Sequence, residues 1–285
     1  MRMSGVLLAL SLPGLPAAAQ SAAMTEEVGE FVASVRAATA RYRDQAAAIA
    51  DGYRRIGPDF PSMGEHWLSI SIVVRDEVDP LHPPILEYVT VAGQPVLAGI
   101  AYAQLVRDGP PRAPLPAPPS AWHFHEGTVD EESFILSHAE RSGAVAADSG
   151  RPRIGVLHAW LWLENPAGLF ATDNWALPWH RLGIPPPEWV GAVSPAGLAA
   201  ALASGGEPYF VAVLSLRHHL TIKQSKRIAA VLERHAHGLR VLLQAGTARC
   251  EPWLEAELAG AWSAAEAELR TICSSCALLE SEHQH

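Results

Sequence analysis

The sequence is poor in cationic residues and lacks the common catalytic motifs. Its 21 lysines and arginines are outnumbered by 30 aspartates and glutamates, which gives a net charge of −9, and the cations form no cluster. An acidic chain without a basic patch is a poor binder of nucleic acid or of an anionic membrane surface. No G-x-S-x-G, P-loop, G-x-G-x-x-G or H-E-x-x-H pattern is present, so neither a hydrolase nor a nucleotide-binding protein has motif support.

Cysteine is also scarce, with only Cys250, Cys273 and Cys276. Cys250 and Cys273 flank one predicted helix, and a helix of that length spans roughly 35 Å, which excludes a bond between them. The spacing therefore predicts a local disulfide between Cys273 and Cys276. This CxxC has no following histidine for haem attachment, no second CxxC for a zinc site of four thiolates, and no strand-to-helix context of the thioredoxin type.

Long apolar runs are confined to the N-terminus. Residues 1–19 combine a basic start at Arg2, an apolar run over Gly5–Leu15 and the small residues Ala17-Ala18-Ala19. This pattern predicts a secretory signal peptide cleaved before Gln20, because the apolar run is shorter than the ~20 residues of a spanning helix. We therefore expect a periplasmic or secreted protein with no transmembrane anchor after processing.

The pattern that follows predicts an α+β domain over residues 20–190. Apolar residues recur at the helical period through Met24–Ile56, which predicts one long amphipathic helix. An antiparallel sheet of four to five strands, packed on that N-terminal helix, is expected from hairpin signals such as Ala92-Gly93-Gln94-Pro95. The predicted strands are His66–Val74, Ile85–Thr90, Val96–Val106, Trp122–Glu126 and Ile154–Glu164, and Glu131–Val145 is predicted as a helix or an irregular cover.

Residues 191–285 are predicted to form a helical C-terminal region. Ser194 and Pro195 are typical of a helix start, and Tyr209–Leu216 is ambiguous between strand and helix. Leu220–Gln244 and Glu251–Cys276 are amphipathic and closely spaced, which predicts an α-helical hairpin. These helices are the expected cover of the sheet or surface for a homo-oligomer.

Four histidines in the predicted strands form the principal candidate site. His123 and His125 share one face of a strand, and His66 and His158 lie on other strands of the same sheet. Imidazoles on neighbouring strands can converge on one ion, with Glu87 or Glu164 as an oxygen ligand or a proton acceptor. Such a mixed set predicts a divalent metal, Zn, Cu or Mn. The alternative is that these histidines are structural and bond to backbone carbonyls.

A second candidate site is aromatic. On the strand Ile154–Glu164, alternation places His158, Trp160, Trp162 and Glu164 on one face. Together with Trp122, these tryptophans are expected either to form the wall of a small-molecule site or to belong to a sheet-to-helix core that uses large residues. A metal-free module that binds a small ligand or a protein through this face is therefore the alternative to a metal-dependent enzyme or metal-binding protein, and a structural envelope protein is a third reading.

The remaining histidines have simpler interpretations. His235 falls on an apolar helix stripe, which indicates a helix-packing residue. His218-His219 precedes a predicted helix and is typical of a solvated turn. His283 and His285 lie on a polar tail, where they can bind metal adventitiously.

Several short segments of this chain follow one another in an order that is typical of a known group of proteins. They are Asp51-Gly52-Tyr53, Met63-Gly64-Glu65-His66-Trp67, Pro84-Ile85-Leu86-Glu87-Tyr88, and Leu157-His158-Ala159-Trp160-Leu161-Trp162 followed by Asn165-Pro166, Gly168 and Phe170. Over residues 38–175 the chain resembles a large group of exported bacterial proteins of uncharacterised function. The resemblance implies that His66 and His158 are paired positions of interest, and it supplies no activity. Pro84 stands where that group usually has an acidic residue, which leaves Glu87 as the nearest substitute.

Overall fold

The computed structural model describes residues 17–75, 77–106, 111, 113–126, 135, 153–246 and 251–278. Most of the predicted signal peptide, nearly all of the predicted cover Glu131–Val145, and Cys250, His283 and His285 lie outside these residues. The described chain combines an antiparallel sheet with a set of C-terminal helices.

Among the described residues, the sheet has six strands in the order β1-β2-β3-β4-β6-β5, and every neighbouring pair is antiparallel. The predicted four to five strands were therefore too few. The missed strand is β1, which the sequence pattern assigned in part to the N-terminal helix. The strands are β1 Arg54–Phe60, β2 Gly64–Leu68, β3 Ile85–Val91, β4 Gln94–Val106, β5 His123–Glu126 and β6 Arg153–Ala159.

The predicted single helix Met24–Ile56 is divided in two. Helix α1 (Ala17–Thr39) leads into a 3-10 turn, and α2 (Gln45–Ala50) begins after Asp44, whose extended backbone interrupts the helix and whose side chain accepts from the Ala46 amide. Gly52 then adopts φ 91°, which ends the helical segment and lets β1 begin. Apolar periodicity continued across this break, and for that reason the pattern overestimated the helix.

Helix α1 packs on one face of the sheet. Phe31 and Val35 are buried against that face, and the ring centroids of Phe31 and Tyr102 are 6.3 Å apart. The buried residues on the sheet side alternate along the strands, as a half-buried strand requires. They include Leu86, Tyr88, Ile100, Tyr102, Leu157 and Ala159. The opposite face of the sheet therefore holds the other set of alternating residues.

Two predicted strands end earlier than expected. Strand β2 stops at Leu68, and the next residues form the short helix α3 (Ile70–Val73). Strand β6 stops at Ala159, because the Trp160 amide donates to the Leu169 carbonyl and the Trp162 amide donates to Ala98. The hairpin between β3 and β4 is confirmed, and its turn residues Ala92 and Gly93 both have positive φ, as a tight hairpin turn requires.

The helical region follows the sheet. It comprises α4 Leu177–Leu182, α5 Pro195–Ala201, α6 Glu207–Arg217, α7 Ile222–Gly246 and α8 Glu251–Arg270. The ambiguous segment Tyr209–Leu216 is thus helical, and Ser194 caps α5 by accepting from the Gly197 amide at 3.0 Å. Arg234 and His235 of α7 both contact Glu268 near the end of α8, which is the antiparallel pairing expected of a helical hairpin.

These helices enclose a core of their own. Trp175 and Trp179 belong to this core, although they precede residue 191, where the helical region was predicted to begin. The run Pro195–Arg217, kinked at Gly205, is the one described helix long and apolar enough to cross a membrane, with a mean hydropathy of 1.3. Because 61 % of that apolar window is buried inside the protein, the same composition is explained by a core helix. The predicted disulfide Cys273–Cys276 is present, with Cα atoms 5.3 Å apart.

Candidate metal centre

The sheet register brings the principal candidate residues together. His66 on β2 lies directly opposite Glu87 on β3, Glu87 lies opposite Gly99 on β4, and Ala101 lies opposite His158 on β6. Residues directly opposite each other in an antiparallel pair share a face. The side chains of His66, Glu87 and His158 therefore project from the face that α1 does not cover.

Strand β4 makes room for this convergence. A β-bulge at Ala98 interrupts the register beside Glu87, and bulges commonly redirect a side chain. A Cβ atom on Gly99 would lie 2.5 Å from Oε2 of Glu87 and 3.0 Å from the Ala159 carbonyl. The Glu87 carboxylate thus occupies the space that a larger residue would fill. Gly99 was missed by the sequence analysis, although a glycine inside a strand is a known signal of close approach.

The three side chains form a compact buried group. Nδ1 of His158 and Oε1 of Glu87 are hydrogen-bonded, and Nε2 of His66 lies 3.8 Å from the same oxygen. Their relative exposures are 0 %, 0 % and 2 %, so the whole group is withdrawn from water. One candidate ligand atom from each residue lies within 4.8 Å of the other two, and this group can hold a metal ion.

His123 and His125 extend this group toward the edge of the sheet. Both are half-buried on β5, where His123 lies opposite Val156 and His125 opposite Ile154. The ring of His123 stacks on that of His158 at 5.0 Å, and the His125 ring lies 4.9 Å from His123. All four predicted histidines therefore lie on one face, with His66 and His158 beside the carboxylate and His123 and His125 outside them.

Burial controls the charge of these groups. Loss of water lowers the pKa of His66 to about 3, reinforced by the charge of His158 and then of His125 and opposed by a backbone hydrogen bond at Gly64. Burial also lowers the pKa of His125 to about 4. The pKa of Glu87 is raised by burial, and His158 opposes that shift. His66 and His125 are consequently neutral at physiological pH, which is the state in which imidazole donates a lone pair to a metal.

The other predicted site residues are dispersed. Trp160 stacks on His158 at 6.0 Å, and its indole donates to the Ala171 carbonyl. Trp162 packs at the α1 side, where Arg36 and Arg43 lie over its ring, and Trp122 packs beside Gly155 on that same side. The three tryptophans therefore do not line one site, because Trp160 lies on one face of the sheet and Trp122 and Trp162 lie on the other.

Glu164 also lies away from the histidines. It is exposed, and its carbonyl accepts from the Asn174 side chain. The residues from His158 to Glu164 do not alternate along one strand face as expected, because β6 ends at Ala159. A residue that the sequence analysis did not connect with the site, Phe60 on β1, contacts His66 edge to face at 5.2 Å.

No protein-family model, no curated protein and no solved structure matches this chain. The resemblance to the exported bacterial group stays a prediction.

Proposed function

We propose that the protein binds a divalent metal ion through His66, Glu87 and His158. The observation that supports this proposal most is the convergence of three buried donor side chains from three strands on one point. Burying a carboxylate without a counter-charge is costly, and a bound cation compensates that charge. A purely structural role would be served better by apolar residues of similar volume.

The donor set favours a borderline or hard divalent ion. Two imidazoles and one carboxylate suit Zn²⁺, Mn²⁺ and Cu²⁺, and a site of three protein ligands leaves a coordination position for water or a substrate. A bound ion would replace the proton of the hydrogen bond between His158 and Glu87, so that metal binding releases a proton and weakens at low pH. The half-buried His123 and His125 lie next to this group on the side of the sheet edge. The open coordination position supports our proposal of a metal-dependent enzyme.

The His158–Glu87 pair also supports a second candidate function, in which His158 acts as a general base. A hydrogen bond in which Nδ1 of His158 donates to the Glu87 carboxylate is the arrangement in which a carboxylate orients a general base, and Nε2 of His158 is buried without a hydrogen-bond partner among the described residues. In that case His158 would work without a metal. A ligand-binding module built on the tryptophans has less support, because Trp122 and Trp162 lie on the opposite face from Trp160.

Elemental analysis of the purified protein tests the metal proposal. The full chain carrying His283→Ala and His285→Ala, which removes adventitious binding, is expected to retain about one metal per chain after reconstitution with Zn²⁺, Mn²⁺ or Cu²⁺. Adding His66→Ala and His158→Ala should abolish binding. The matched control adds His180→Ala and His219→Ala, which removes two imidazoles elsewhere and should leave the metal in place.

A second variant guards against misfolding of the double substitution. Glu87→Gln keeps the shape of the side chain and should still lose the metal. Absence of metal from the parent protein after reconstitution, or retention of metal by both variants, would contradict the proposal. Metal-free protein would leave the His158–Glu87 pair as the site, and NMR titration of His158 would then follow its protonation.

We also propose that the protein is exported and self-associates through its C-terminal helices. The disulfide Cys273–Cys276 supports export, since such bonds persist in oxidising compartments. N-terminal sequencing of the exported protein tests cleavage before Gln20, and sedimentation analysis tests self-association. Ile222, Val241 and Trp253 are exposed apolar residues on α7 and α8, and they support such an interface.

A further inference from the structure

A second group of metal-binding residues lies in the helical region, remote in sequence from the sheet. His218 follows the C-terminus of α6, and Cys273 and Cys276 follow the C-terminus of α8. One ligand atom from each of these residues lies within 4.8 Å of the other two. His218 was interpreted from sequence as part of a solvated turn, and only the packing of α6 against the end of the chain reveals its neighbours.

Backbone hydrogen bonds, in addition to the disulfide, hold the two cysteines near each other. The Cys276 amide donates to the Cys273 carbonyl at 3.0 Å, and the Cys273 amide donates to Leu269 at 3.0 Å. Cys276 is fully buried in the helical core, whereas Cys273 is half-buried. Reduction would therefore leave two thiols side by side, and Cys273 is the sulfur that a reductant can reach.

His218 is fixed in the same way. Its amide donates to the Leu214 carbonyl at 3.1 Å, which continues the last turn of α6. The Ser275 hydroxyl lies 3.2 Å from Nδ1 of His218 and 3.5 Å from Sγ of Cys273, and so it connects the imidazole to the cysteine loop. The Arg217 guanidinium also reaches the Ala277 carbonyl. These contacts position the imidazole next to both sulfur atoms.

The position of the group at helix C-termini does not favour a reactive thiolate. Helix C-termini carry partial negative charge, and here two of them, at Arg217 and Arg270, precede the residues of the group. Redox-active CxxC pairs have the opposite arrangement, because a helix N-terminus stabilises their thiolate. A pair of cysteines at helix C-termini is thus poorly suited to catalyse disulfide exchange.

We propose that Cys273, Cys276 and His218 form a redox-gated metal site that takes up Zn²⁺ only when the disulfide is reduced. A dithiol supplies two electrons and two protons, the S–S bond breaks, two thiols form, and the dithiol becomes a disulfide. Zn²⁺ then displaces the two thiol protons and accepts the imidazole lone pair. Two thiolates, one imidazole and a water are a recognised tetrahedral set for zinc. This site is independent of His66, Glu87 and His158.

The experiment uses the full chain in a background that lacks the two buried histidines of the sheet site, the two terminal histidines and the third cysteine. His66, His158, His283 and His285 are changed to Ala and Cys250 to Ser, so the result does not depend on the site in the sheet. The protein is reduced with dithiothreitol, desalted without oxygen and titrated with Zn²⁺. Binding of Co²⁺ is followed by thiolate charge-transfer absorption, and the disulfide form is titrated in parallel.

Reduced protein is expected to bind about one Zn²⁺ with a Kd at least ~100-fold lower than that of the disulfide form. His218→Ala should weaken this binding at least about tenfold, and the neighbouring His219→Ala should not change it. Equal binding by both redox forms, no thiolate absorption with Co²⁺, or an unchanged Kd in His218→Ala would overturn the proposal. If the background unfolds, Cys273→Ser/Cys276→Ser in the otherwise unchanged chain must remove the thiolate absorption.

Discussion

At the scale of single residues, His66 shows how burial prepares a ligand. Its ring is 2 % exposed and lies between the Phe60 ring and the Glu87–His158 pair. Water that would solvate an imidazolium is excluded there, and the pKa falls to about 3. The lone pair of the neutral ring stays available at pH values where an exposed histidine is partly protonated.

The stability of the metal-free protein should therefore depend on pH. The folded pKa of His66 lies below the ordinary value of 6.5, so the unfolded chain binds more protons between those values. Stability is full above pH 6.5 and is lost as the pH falls toward 3. Lowering the pH from 7.5 to 5 should reduce the free energy of unfolding by about 2 kcal/mol through this residue.

Urea unfolding at both pH values, with a chelator present, measures this effect. His66→Phe keeps a ring beside Phe60 and should remove the part of the difference that His66 contributes, while His125, whose pKa burial also lowers, keeps its own part. His219→Ala changes an exposed histidine and should leave the whole difference intact. An identical pH dependence in His66→Phe and in the unaltered protein would show that His66 is not the group responsible.

At the scale of elements, the site depends on the middle strand as much as on the strands that carry ligands. Strand β4 supplies no ligand, but Gly99 and the bulge at Ala98 give the Glu87 carboxylate its position. The carbonyl of Ala98 also accepts hydrogen bonds from the amides of Trp162 and Leu163. These bonds turn the segment after Ala159 out of the direction of strand β6. One irregularity thus places Glu87 among the histidines and removes Glu164 from them.

Substitution of Gly99 by alanine should disturb both stability and the site. The added methyl group meets the Glu87 carboxylate and the Ala159 backbone, and overpacking of this kind costs about 1–3 kcal/mol. Metal affinity should fall with it, because Glu87 must move. Chemical denaturation and a metal titration measure the two effects.

Gly29→Ala is the matched control for this substitution. Gly29 is exposed in α1, and a Cβ atom there meets nothing within 4 Å. This change should stabilise the protein slightly or leave it unaltered. Normal stability and metal binding in Gly99→Ala would show that the space over Gly99 is not needed.

At the scale of the whole molecule, the helical region holds the β1–β2 turn that leads to His66. Arg181 of α4 binds both oxygens of Asp59 on β1, at 2.6 and 2.5 Å, and reaches the Phe60 carbonyl as well. The rings of Phe60 and Tyr209 are 5.4 Å apart, so α6 contacts the same turn. Phe60 in turn contacts His66, which connects the helical region to the site.

Breaking this connection should cost more than breaking an exposed ion pair. Arg181→Met keeps most of the side-chain volume but leaves Asp59 unpaired, and we expect the free energy of unfolding to fall by about 1–3 kcal/mol. Arg55→Met removes the more exposed pair with Glu65 and should cost less than about 1 kcal/mol. Urea titration compares them, and equal losses would indicate that Arg181 is an ordinary surface residue.

Short-range patterns were sufficient for several features. The turn at Ala92-Gly93, the cap at Ser194, the C-terminal helices and the Cys273–Cys276 disulfide all depend on residues close in sequence. The alternation that placed His123 and His125 on one face is likewise local, and the structure confirms it. Such features are decided by backbone sterics and periodicity, which the sequence itself specifies.

Contacts between distant residues decided the rest. Whether Glu87 or Glu164 joins His66 and His158 depends on the register of β3 with β4 and on where β6 ends, and both are set by backbone hydrogen bonds to other strands and loops. The proximity of His218 to the cysteines likewise requires α6 to pack beside the end of α8. Residue types alone show which side chains are able to bind a metal, whereas the packing of strands and helices determines which of them meet, because these pairings join residues far apart in the chain.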